Sequence, residues 1–83
     1  MSRDSLLLTF PSTHDALSAE AALRAAGLPA ETIPKPRVVQ ADCGLAILVP
    51  PEHRAAVEAL LREQHVSVSG IYDYKRGAAV KRR

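Results

Sequence analysis

Two short runs with apolar side chains at almost every position, Leu6-Leu7-Leu8 within Ser5 to Phe10 and Leu45-Ala46-Ile47-Leu48-Val49, constrain this 83-residue chain more than any other feature. A strand that is apolar at every position must be covered on both faces, so each run reads as a central strand of a sheet. Proline ends both: Pro11 follows Phe10, and Pro50-Pro51 follows Val49.

The segments around these runs supply the other elements. Ser12, with Asp15 three residues on, has capping-box spacing. Ala16, Leu17, Ala19, Ala22, Leu23 and Ala26 then make an apolar face that Gly27 stops, which predicts a helix over residues 13–26. Leu28 to Ile33 reads as a weaker strand whose neighbouring prolines, Pro29 and Pro34, suit a sheet edge. Pro51 opens a second helix running to about Gln64, with Val57, Leu60 and Leu61 toward the core and a solvent-side Glu58/Arg62 pair. Val66 to Tyr74 reads as a last, edge-like strand with a bulge at Gly70.

The resulting order, β-α-β-β-α-β with strong first and third strands, selects an α+β fold. A ferredoxin-like antiparallel sheet in the order 4-1-3-2, with both helices on one face, puts the two apolar strands at its centre. The expected core is Leu7, Phe10, Leu23, Ile47, Leu48, Val49, Val57 and Leu60. A domain of this size buries only about 60% of its unfolded surface. The chain has no Trp, one Phe, two Tyr and a single Cys, so aliphatic side chains must supply that core without help from a disulfide.

Composition also narrows the function classes. No apolar run approaches the ~20 residues of a membrane helix, and residues 1–8 are too short an apolar start for a secretory signal, so a cytoplasmic address is expected. The formal charge of +2 is uneven: Lys75, Arg76, Lys81, Arg82 and Arg83 fall in the last nine residues, leaving six basic against nine acidic side chains, a net −3, before them. This predicts one folded domain over residues 1–74 and a basic, disordered tail over 75–83. Such a tail could attract RNA or an acidic partner weakly, while the scarcity of aromatics argues against a conventional RNA-recognition sheet.

The topology assembles a candidate site. With the first strand running up, the start of the first helix and the loop from Lys35 to Cys43 both lie at the top. Ser12, Thr13, His14, Arg37, Cys43 and Gly44 gather there, with His65 a further candidate, while His53 falls at the opposite end. A thiol of ordinary pKa, about 8.5, needs help to ionise. A helix N-terminus, the Arg37 cation and inward-turned amides around Gly44 would favour a sulfur anion, and Asp42 would oppose it. A bland reading stands beside this one: Cys43 as a small buried hydrophobe, Ser12 and Thr13 as helix caps, and Arg37 as a solvated charge. No paired carboxylates, Walker loop, Ser-His-Asp order or metal-ligand spacing is visible, so neither a metal nor a cofactor is expected.

The chain resembles the selenium/sulfur carrier-like proteins, formerly a domain of unknown function, from about Leu6 to Tyr72. The resemblance lies in the opening strand followed by Ser12-Thr13, an Ala-rich helix with Glu20, Gly27-Leu28-Pro29, Pro34-x-Pro36-Arg37, and Cys43-Gly44 leading an apolar strand. It implies that Cys43 is the chalcogen-bearing residue and Arg37 the loop arginine. Gln40, Ala41 and Asp42 stand where that family often has small hydroxyl residues, which removes hydroxyl donors to a bound anion. One reading is therefore a small carrier that holds sulfur or selenium on Cys43 as a persulfide or selenopersulfide between donor and acceptor proteins, turning over nothing alone. The alternative is a non-catalytic interaction or regulatory module with a structural cysteine, and homo-oligomer formation stays open under either.

Overall fold

The computed structural model describes residues 5–37, 39, 43–75 and, for the backbone alone, 78–82. Its elements are β1 (Ser5–Thr9), α1 (Thr13–Ala25), β2 (Glu31–Pro34), β3 (Leu45–Val49), a 3₁₀ turn (Pro51–His53), α2 (Arg54–Glu63), β4 (Gly70–Lys75) and β5 (Ala78–Arg82). The sheet is antiparallel throughout, in the order β2-β3-β1-β4-β5. The expected ferredoxin-like order is present, read from the other edge, and the two apolar runs are neighbours at its centre.

Register explains why those runs had to be apolar on both faces. Pairing sets Leu6 opposite Val49 and Leu8 opposite Ile47. Together with Phe10 these side chains meet Ala16, Ala19 and Leu23 of α1 and Val57 and Leu61 of α2 in one core. The intervening residues point the other way, where Leu7 and Ala46 are covered by Val39 from the loop between β2 and β3. That second face has no helix, and Ile33, Leu48, Tyr72 and Tyr74 pack around its small core only half-buried.

Both helices end in the same way. After α1, Gly27 takes a φ of 74°, its N–H reaches the Arg24 carbonyl and the Leu28 N–H reaches that of Leu23. After α2, His65 occupies the equivalent place at φ 58°, with its N–H on Arg62 and the Val66 N–H on Leu61. Each is a Schellman closure, but only the first uses the residue that accepts left-handed backbone without a Cβ penalty. At its start, α1 is capped by Ser12, whose Oγ accepts from the Asp15 N–H at 3.2 Å and donates to the Asp15 carboxylate at 2.9 Å. Glu20 ties α1 to β2 by accepting from Thr32 Oγ1 at 2.9 Å.

β4 runs through Lys75, and the backbone of Ala78–Arg82 pairs with it as a fifth strand, satisfying β4's otherwise free edge. Several expectations are corrected. Gly70 makes no bulge in the pairing with β1, which runs without offset from Thr9↔Gly70 to Ser5↔Tyr74. Residues 66–69 lie outside the last strand, although the Ser69 N–H bonds the Thr9 carbonyl. The second helix begins with a 3₁₀ turn, and Glu58 pairs back to Arg54 at 2.8 Å rather than forward to Arg62. Leu17 is half exposed, and on α2 Leu61 is buried more fully than Leu60, which packs against the same core.

Two stability measurements follow. In chemical denaturation Leu61→Ala is expected to cost about 2–5 kcal/mol, and Leu60→Ala clearly less. His65→Gly is expected to raise stability by about 0.5–1 kcal/mol, since relief of left-handed strain exceeds the added entropy of the unfolded chain.

Candidate functional site

The loop that carries the cysteine is pinned at three described points. The Lys35 N–H donates to the Gly44 carbonyl at 2.8 Å, closing the loop at its base. The Lys35 Nζ reaches the Val39 carbonyl at 2.9 Å, and the Val39 N–H bonds the Pro36 carbonyl at 3.1 Å. The Val39 side chain, 1% exposed, is the apolar anchor against Leu7 and Ala46. Asp42, expected to oppose a sulfur anion, lies outside the described residues, as do Gln40 and Ala41.

Cys43 is 2% exposed and belongs to the helix-side core. Its thiol faces the beginning of α1, donating toward Thr13 Oγ1 at 3.8 Å, and its Sγ accepts from the Leu45 N–H at 3.3 Å. The antiparallel topology makes this meeting possible, because β1 leads into α1 at the same end of the sheet where β3 begins. Residues thirty apart in sequence thereby meet at one sulfur. Thr13, which the thiol faces, and Gly44, next in the chain, are both exposed, so this core cysteine has surface residues as neighbours.

Of the residues picked out by sequence, the structure brings Thr13 and Cys43 into contact, with Ser12 beside them as the cap and Gly44 next in the chain. Arg37 is exposed and has no hydrogen bond or ion pair among the described residues. His14 and His65 are exposed and make no side-chain hydrogen bond to the site. Gly44 was expected to spare a clash, but a Cβ built on it meets nothing within 4 Å and its backbone is not left-handed. The Leu45 N–H and the Lys35 N–H to Gly44 carbonyl bond have no sequence signature, since both donors are main-chain groups that nearly every residue carries. Among the described residues, no group of three or more His, Cys, Asp and Glu side chains could hold a metal ion.

The burial of a lone thiol at the start of α1 does not by itself name a chemistry. A family model described as "Putative Se/S carrier protein-like" matches residues 5–73, from the first residue of β1 to the body of β4 and across the Cys43 loop. The chain belongs to that family. No curated protein and no solved structure matches it. The match therefore spans the four-strand sheet and both helices and stops before β5.

Because the space beside Gly44 is open, Gly44→Ala is expected to change stability by no more than about 0.5 kcal/mol in urea titration. A larger loss would mean that the Cys43-Gly44 backbone needs a conformation that only glycine supplies.

Proposed function

We propose that this protein carries sulfur or selenium on Cys43 between a donor and an acceptor protein, in a reducing cytoplasm where a lone thiol stays unpaired. The observation that carries the reading is the family match across the loop whose one cysteine sits against the first residue of α1. The transfer is redox-neutral. The Cys43 thiolate attacks the outer sulfur of a donor persulfide, the donor's S–S bond breaks, and the donor leaves as a thiolate that takes up a proton. A persulfide then stands on Cys43, and an acceptor thiolate removes its outer sulfur by the same exchange, returning Cys43 to the thiolate. Selenium as the outer atom follows the same balance.

In this reading each site residue has a part. Thr13 Oγ1 and the Leu45 N–H are the polar groups within reach of the sulfur, and Ser12 holds the first turn of α1 in place. Arg37 draws an anionic donor toward the loop by long-range attraction. With Cys43 2% exposed, loading requires local opening at Thr13 and Gly44, a motion far smaller than unfolding. The same burial favours the second reading, an interaction module whose cysteine merely packs.

Mass measurement after incubation of the native protein with polysulfide or polyselenide, each of which supplies a zero-valent outer atom and a leaving chalcogenide, separates the two. The carrier reading expects one added chalcogen, removable by reductant and absent in Cys43→Ser, with loading slowed roughly three- to tenfold in Arg37→Ala at low salt and less at high salt. A native protein that gains no mass, while its urea-unfolded form does, identifies Cys43 as a packing residue.

A further inference from the structure

The sheet face away from the helices carries features that the Cys43 chemistry does not use. Both tyrosines of the chain stand on it, two residues apart on β4, half-buried beside Leu7 and Val39. The alternation of the final strand places Tyr72 and Tyr74 together on the side away from the helices.

The Tyr72 ring lies down along the strand. A Cβ built on Gly70 would sit 3.2 Å from Tyr72 Cε1, 3.6 Å from its Oη and 3.4 Å from Thr9 Oγ1. Glycine at this position is thus what lets the ring cover the backbone instead of standing off it, and a ring lying on a sheet turns one π-face outward. Neither tyrosine hydroxyl has a hydrogen bond among the described residues. Alongside, β5 sets Lys81 in register with Tyr72 and Ala79 with Tyr74. Five of the chain's eleven cations lie in the last nine residues, and the body before them is net negative.

A tyrosine ring presented flat on a sheet, with a lysine in register on the neighbouring strand, matches the two demands of a single-stranded nucleic acid: bases that stack and phosphates that need neutralising. A second copy of the chain fits less well, since a face-to-face pair meeting along β5 would bring like charges together. We propose that the Tyr72/Tyr74 face, flanked by β5, binds single-stranded nucleic acid without strong sequence preference.

The test is fluorescence anisotropy with a labelled oligouridylate and its oligothymidylate counterpart, titrated with the full chain across a salt series, with sedimentation of the free protein in parallel. Expected are saturable binding that weakens as salt rises, retained binding in Tyr72→Phe, and a loss of roughly 5- to 100-fold in Tyr72→Leu with its melting temperature checked. Lys81→Gln should shallow the log K against log salt slope by about 0.7. Preference for the ribose or the deoxyribose strand names the source of the ligand and supports the proposal either way. Absence of binding at low salt overturns it. So does binding that Lys81→Gln weakens but Tyr72→Leu leaves unchanged, which is attraction to charge alone, and so does a dimer dispersed by Tyr72→Leu without any nucleic-acid binding. Cys43→Ser is expected to bind as the wild type does, so this result and the carrier result fail separately.

Discussion

The pairing of β1 with β3 is the interaction on which the rest of the molecule depends. Leu6 opposite Val49 and Leu8 opposite Ile47 build one apolar surface wide enough for two helices, and the alternate residues Leu7 and Ala46 seed a second core on the reverse face. A slip of one residue would exchange the two sets and leave α1 and α2 without a floor. That register also positions the site, because Cys43 stands two residues before β3 and its sulfur is held by the Leu45 N–H at the strand's first residue.

Burial of Cys43 has two consequences that pull against each other. It shields a thiol from over-oxidation, which follows thiolate exposure, and it withholds the sulfur from any partner. Beside the thiol, Thr13 and Gly44 are exposed, and among the described residues the loop is fastened by the hydrogen bonds of Lys35 and by the Val39 anchor.

The two faces of the sheet have separate roles in the architecture. The helix side holds most of the stabilising apolar burial and the cysteine, whereas the open side keeps a small core of Leu7, Val39 and Ala46 bordered by half-buried tyrosines. Strand β5 extends this open side beyond the four-strand sheet of the family match, so the edge that would have been β4 is backbone-paired instead.

What the sequence determined by itself was whatever local pattern encodes. Doubly apolar Leu6-Leu7-Leu8 and Leu45–Val49 identify central strands, Ser12 with Asp15 marks a helix start, Gly27 marks its end, and the element order permits one economical topology. The Pro-Arg to Cys-Gly spacing pointed to the family. Tertiary structure alone decided that Leu61 is buried more fully than Leu60, that His65 adopts a glycine's backbone, that residues 78–82 pair as a strand, and that the thiol is buried against Thr13 while Arg37 is exposed. Each of these depends on helix phase, a free strand edge or the path of a loop between residues far apart in sequence. Their partners are main-chain groups and neighbours whose identity a local pattern does not contain.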